Sequence, residues 1–430
     1  MDGVARGTLI NLATRLLGVG LMLAITAVAA RIGTDVQGRF ALFTSIEGML
    51  LALFSGFGIA LARRVSHHGE RPRALVAATV IACIGLGLGA GLLLAAVARF
   101  GPPGYASLLI LALAAPLLLV APNLSGLWLG QGRMLPMAML SLTAPLLTLL
   151  ALGLTRLASG ALVLADVLLA WVLAKVALAV GLLWVLRRQG WQVRPDFGAL
   201  RSEAPFIATI GATNLVGLLN YRVGLFVVER VLGLSETGLY SIAVVVAELL
   251  WFVSGSLTQA VYGRIGTPDR QQAAATTVRV VQLGVVALVL VAPLLFAAAW
   301  WLLPAVLGQA YRASLLPLAL LLPGVLLFGG ASALSAYFTN HAGRPQVPAQ
   351  VALVSLMVNA GLALLLVPRL GMDGAALAAS AAYSTSVALL AWRFAAHAGV
   401  PPAQLLRPQA RLWADLRGVA WRRGRGGQGR

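Results

Sequence analysis

Twelve stretches of about 20 mostly apolar residues follow one another along the chain, and each is long enough to cross a bilayer. They run roughly over 8–30, 40–62, 74–97, 107–129, 136–157, 163–186, 205–228, 239–262, 276–301, 314–337, 349–368 and 374–394. The linkers are short. The longest interior one, 187–204, falls near the middle of the chain, and no segment could hold a soluble catalytic domain. In lipid each spanning segment must satisfy its own backbone N–H and C=O groups, so this pattern predicts an all-α integral membrane protein. Composition agrees. Of 430 residues, 60% are hydrophobic and 10% charged, against about 45–50% and about 25% in soluble domains. A cytosolic enzyme, a secreted domain and a disordered chain are excluded.

The charge balance gives the orientation. The chain carries 32 Lys+Arg against 13 Asp+Glu, a net charge of +19. In a soluble protein that excess would suggest nucleic acid; in a membrane protein it reflects the cytoplasmic bias of basic loops. Three of the basic residues (Arg15, Lys175 and Arg222) lie deep inside spans, away from either end. Seven flank one side: Arg31, Arg39, Arg99, Arg156, Arg230, Arg312 and Arg369. All the others lie on the side of the N-terminus, so both termini are expected in the cytoplasm. Ala27-Val28-Ala29 resembles a signal-peptidase site, but Arg15 interrupts the apolar stretch before it, and the segment reads as a first span.

Several chemistries are excluded by residue type. A single cysteine, Cys83, leaves no intrachain disulfide and no cysteine-based metal site. The four histidines (His67, His68, His341 and His397) lack ligand spacing. The only lysine, Lys175, sits in Ala-Lys-Val, so the chain has no Gly-Lys-[Ser/Thr] phosphate loop. No catalytic residue, metal or cofactor is assigned.

The second half echoes the first. Arg31-Ile32-Gly33 to Gly38-Arg39-Phe40 aligns with Arg230-Val231-Leu232 to Gly238-Leu239-Tyr240. Each stretch is read as a short outer loop opening a span that carries one buried acid, Glu47 or Glu248. Six plus six spans of like orientation predict two lobes, 1–200 and 201–395, related by an axis along the membrane normal, with substrate between them near the midplane. The remainder, 396–430, is a basic cytoplasmic tail. In it Leu405, Leu412, Trp413, Leu416 and Val419 recur at helical spacing, as in an interfacial amphipathic helix, or the tail is simply solvated.

Taken together, these features resemble the Wzx-type polysaccharide and O-antigen flippases of the multidrug/oligosaccharidyl-lipid/polysaccharide (MOP) superfamily. The resemblance rests on Asn11 and Arg15 in the first span, the Ala30-Arg31-Ile32-Gly33 loop and the Gly238–Glu248 run. It continues through Leu307-Gly308-Gln309-Ala310-Tyr311, Ala342-Gly343-Arg344-Pro345 and Val367-Pro368-Arg369-Leu370-Gly371-Met372-Asp373-Gly374, covering nearly residues 5–395. It implies a V-shaped bundle that alternates between inward- and outward-facing states in the cell (inner) membrane. The implied substrate is an undecaprenyl-pyrophosphate-linked oligosaccharide, moved between leaflets at the expense of a proton or sodium gradient. Membrane lipids and polysaccharide polymerase or assembly proteins are the implied partners. Within the superfamily, a multidrug or metabolite extruder and a peptidoglycan lipid-precursor flippase are the alternatives, though the latter group usually has fourteen spans. A membrane glycosyltransferase or ligase is disfavoured, because no outer loop exceeds about a dozen residues.

The residues themselves supply candidates for a cavity. A cation at the centre of a membrane helix costs about 2.5–3.5 kcal/mol on insertion scales, so it is retained for a purpose. Lys175 lies roughly 18 Å from either end of its span, beyond snorkelling reach, with Trp171 one turn away. Arg15 shares a face with Asn11 and either lines the cavity or snorkels to the headgroups. Arg222 lies near Asn214 and Asn220. Arginine and lysine suit a lipid pyrophosphate, so Arg15, Lys175, Arg222, Asn11 and Asn214 are the candidate substrate-binding set. Glu47 and Glu248 are the candidate ion-coupling carboxylates, or else partners in fixed ion pairs with Lys175 or Arg222. The alternating Gly85, Gly87, Gly89 and Gly91 read as close helix packing.

Overall fold

The computed structural model describes residues 2–68, 73–190, 194–260, 265–401 and 403–406, without the side chains of 2–12, 67, 68, 103, 134, 259, 260 and 406. Most of the proposed tail helix, Asn11's side chain and the rest of 407–430 therefore lie outside the described residues. What is described is helical throughout. The first six rods are α1 (Asp2–Ile32), α2 with α3 (Thr34–Phe54 and Gly56–His68), α4 (Arg73–Phe100), α5 with α6 (Leu108–Leu118 and Val120–Gly130), α7 (Met134–Ser159) and α8 (Leu164–Arg188). The next six begin with α9 (Phe197–Leu232), α10 with α11 (Leu234–Glu248 and Leu250–Ala260) and α12 (Arg270–Leu302). They end with α13 with α14 (Leu315–Gly330 and Ser332–Ala336), α15 (Gln346–Leu370) and α16 (Met372–Ala398). Among the described residues 11 rods are long and apolar enough to cross a membrane; α9, 36 residues long and carrying Glu203, Asn214, Asn220 and Arg222, is the twelfth. The chain is a multi-pass membrane protein.

Four of the expected single spans are broken. The α2/α3 break falls at Ser55, just before Gly56 and Gly58. The α5/α6 break at Leu119 lies between Pro116 and Pro122, each of which lacks a backbone donor. The α13/α14 break at Ala331 follows Gly329 and Gly330. The α10/α11 break falls at Leu249, directly after Glu248. The predicted outer loop over 31–42 is also corrected: only Gly33 separates α1 from α2, so Thr34 to Leu42 already belong to a helix.

The chain divides into two compact units, Met1–Arg222 with Leu232–Leu239, and Val223–Val231 with Tyr240–Arg430. In the first, α1 packs on α7, α7 on α8, α4 on α5 and α3 on α6. One core gathers Ile25, Phe40, Phe43, Leu111, Leu168 and Trp171, and a second gathers Phe57, Leu61, Leu119, Leu124 and Ile207. In the second unit α13 and α15 both pack on α16, around a core that includes Ile265, Leu334, Tyr337 and Phe394.

The matched glycines of the internal repeat meet. A Cβ on Gly38 would run into the carbonyl of Leu234, and one on Gly238 into the carbonyl of Thr34. Beside them the Thr34 and Ser235 hydroxyls are 2.7 Å apart. The first turns of α2 and α10 thus approach backbone to backbone, which is the physical reason for glycine at both positions.

Candidate functional site

Two of the buried charges of the first unit, Glu47 and Lys175, form a constellation on α2 and α8. Glu47 lies 13 residues into α2, about 20 Å along its axis. Trp171 and Lys175 lie one turn apart on α8, and Lys175 is about 17 Å and 20 Å from that helix's two ends. Lys175 Nζ donates to Glu47 Oε1 at 2.6 Å, and Trp171 Nε1–H donates to Glu47 Oε2 at 2.6 Å. The ammonium also sits over the indole, 3.9 Å from the ring centroid. Phe40, two turns before Glu47 on α2, meets the same indole edge-on with centroids 5.5 Å apart.

Each part of this arrangement has a cause. Glu47 is 2% exposed, and a carboxylate so placed is retained only when paired and hydrogen-bonded. Here both oxygens are used, one by a cation and one by a neutral donor. Lys175 keeps 24% of its side chain accessible, so the pair is closed on the carboxylate side and reachable on the ammonium side. The indole adds a cation–π contact on a desolvated ammonium. Chemically, the site stores a cation in apolar surroundings without net charge and can release it when the carboxylate is neutralised.

Of the predicted residues, the structure brings Glu47 and Lys175 together as an ion pair. Thr44, one turn before Glu47, spends its hydroxyl on the carbonyls of Phe40 and Ala41 instead. Arg15 is exposed on α1, and Arg222 is half-buried on α9 beside buried Asn220. Asn214 is exposed and donates to Ser55 Oγ at 2.8 Å. Glu248, half-buried, ends α10 in the second unit. Nearby Trp251 donates to the Val325 carbonyl at 3.3 Å and packs against Phe328 and Tyr383. Asn123 bridges helices: it accepts from Gly58 N–H at 2.9 Å and donates to the Leu119 carbonyl at 2.8 Å.

One ionic residue escaped the sequence reading. Glu203, on the first turns of α9, is 4% exposed and accepts from Arg63 and Arg64 of α3, each at 2.8 Å. The available signal was an acid on the first turns of a span, within a run of basic residues (Arg187, Arg188, Arg194 and Arg201) that holds one other acid, Asp196. It was missed because Arg63 and Arg64 read as ordinary basic flank.

No protein-family model matches the chain, and no curated protein matches it by sequence. Solved structures do match in fold. An inward-facing multidrug-resistance MATE transporter of the MOP superfamily superposes with a TM-score of 0.72 at 14% identity, over 90% of this chain and 98% of its own. The lipid II flippase MurJ, in an inward closed conformation, gives 0.65 at 12%, over 90% and 87%. A Pyrococcus furiosus MOP transporter described as having a binding pocket of reverse polarity gives 0.62 at 15%, over 91% and 96%. At these identities the likeness is one of fold, and the chain has the all-helical fold of the MOP-superfamily transporters.

Proposed function

We propose that the chain is a flippase. It carries an undecaprenyl-pyrophosphate-linked oligosaccharide repeat unit from the inner to the outer leaflet of the cytoplasmic membrane by alternating access, for surface polysaccharide assembly. The observation that carries this reading is Lys175, a cation held at mid-helix by one carboxylate and one indole, in a fold shared with both drug transporters and a lipid II flippase. A proton on Glu47 abolishes the ion pair and frees the ammonium for a pyrophosphate oxygen. Loss of that proton draws Lys175 back and releases the anion. Substrate and proton are thereby linked through one pair, with Lys175 binding and Glu47 coupling. Arg15, Asn11, Arg222 and Asn214 complete the proposed binding set, Glu248 is the proposed second coupling acid, and the polyprenyl chain stays in lipid. Both termini are cytoplasmic in this reading, and a polysaccharide polymerase is the partner that consumes the product.

The test uses the full chain in liposomes holding a lipid-linked oligosaccharide, with outward movement read by a lectin that cannot cross the bilayer. Wild type is expected to expose the sugar, faster under an imposed proton gradient. Lys175→Ala and Glu47→Gln are expected to abolish exposure while still inserting. Absence of exposure by wild type, with transport of a cationic dye instead, overturns the reading in favour of a multidrug extruder. Exposure of a peptidoglycan precursor alone reassigns the substrate.

A further inference from the structure

A cavity of about 590 Å³ lies in the first unit between α2/α3, α4 and α9. On α9 its wall is Phe197, Arg201, Ala204 and Ala208, which recur at helical spacing on one face. Opposite are Leu53 and Phe57, flanking the α2/α3 break, and Ala82 and Leu86 on α4. The cavity exists for two reasons. Ala204 and Ala208 are small and exposed, so nothing fills the space beside them. The adjacent face of α9 is clamped to α3 through Glu203 and through Gly56, whose Cβ would collide with the Ile207 backbone, so the helix cannot move inward to close it.

The cavity is apolar except at one point. Arg201 is its sole charged lining residue, and it makes no ion pair or hydrogen bond among the described residues. Nearby Glu203 has both oxygens occupied by Arg63 and Arg64. Arg63 and Arg64 thus satisfy Glu203 on the adjacent face, and no carboxylate lines the cavity beside Arg201. The groove runs from Phe197 to Ala208, about 16 Å along α9, comparable with one leaflet of a hydrocarbon core about 30 Å thick. It begins at the helix ends on the N-terminal side of the molecule. Leu53, Leu86 and Phe197 at its edges are 40%, 41% and 50% exposed, so it is open along an apolar rim.

We infer that this groove holds one anionic phospholipid of that leaflet, its acyl chain along Ala204 and Ala208 and its phosphate on Arg201. Leaflet-length depth fits an acyl chain and is too short for a long polyprenyl chain, and a lone arginine in an otherwise apolar lining selects a net negative headgroup. The inference stands independently of the transported substrate.

Full-length protein, purified from nanodiscs containing equal phosphatidylglycerol and phosphatidylethanolamine, is assayed for retained lipid by native mass spectrometry. Wild type is expected to retain phosphatidylglycerol with about fivefold preference, the scale of one arginine near an anionic surface. Arg201→Gln is expected to erase the preference, Arg201→Lys to keep it, and Ala208→Trp to fill the groove and remove the retained lipid. Ala82→Trp, from the facing wall, serves the same purpose if Ala208→Trp fails to fold. Equal retention of the two lipids by wild type, or unchanged retention in Arg201→Gln and both tryptophan variants, overturns the inference. Preferential retention of added undecaprenyl phosphate overturns it too, by giving the groove to a prenyl lipid.

Discussion

Lys175 and Glu47 have unequal claims on stability. Removing one member of a buried pair leaves the other charge uncompensated and typically costs 3–5 kcal/mol, whereas removing both is far milder. Lys175→Met is therefore expected to lower stability by about 3 kcal/mol, and Glu47→Gln in the same chain to restore most of it. Thermal unfolding of the two single variants and the double variant in detergent measures this coupling; additive losses would show that the 2.6 Å contact is not an energetic pair. Glu203 behaves differently, because Arg63 and Arg64 are 48% and 33% exposed and can turn to water when it is lost. Glu203→Gln is expected to cost about 1 kcal/mol or less, and a larger loss would mean that Arg63 and Arg64 cannot turn to water in its absence. The candidate residues themselves were legible in the sequence, since a charge mid-span is conspicuous. Ion pairing with Lys175 or Arg222 was one of two readings of Glu47 and Glu248, but which acid meets which cation was not legible, because Glu47 and Lys175 are 128 residues apart.

Glycines decide how closely the helices approach, and spacing alone does not say which ones. Of the four alternating glycines on α4, a Cβ on Gly87 or Gly91 would strike the backbone of α5 at Ala115 or Ala112, while Gly85 and Gly89 face open space. The reading of all four as packing residues is thus right for one face and wrong for the other. Gly87→Ala is expected to destabilise by about 1–3 kcal/mol through overpacking, and Gly89→Ala to be neutral or slightly stabilising. Paired melting curves check this; equal effects would mean that α4 and α5 can separate freely. A similar argument covers the α3–α9 seam. Glu203, Ile207, Gly211 and Asn214 fall on one face of α9, where they meet Arg63 and Arg64, Gly56, Leu53 and Ser55. A span that looks too polar by hydropathy is held by that stripe.

Across the whole molecule, the asymmetry of arginine predicts a single orientation. Cysteines at Ala161 and Gln189, exposed beyond opposite ends of α8, report it in a Cys83→Ala background. An impermeant thiol reagent on intact cells is expected to label the Ala161→Cys variant, with Gln189→Cys labelled only after permeabilisation. The opposite pattern would reverse the assignment of both termini.

Sequence by itself determined what depends on local solvation: twelve helical rods, the positions of their ends to within about two turns, and Lys175 as a charge beyond snorkelling reach. These are properties of each segment in lipid, and no partner is needed to fix them. Tertiary structure decided everything that requires two segments. It broke four spans, joined Glu47 to Lys175 and Trp171, clamped α9 to α3 through Glu203, and set Arg201 in the lining of an apolar groove with no ion pair among the described residues. Hydrophobic patterning cannot specify such pairings, because lipid is as apolar as a neighbouring helix. Close backbone approach and a few buried hydrogen bonds select among otherwise equivalent faces.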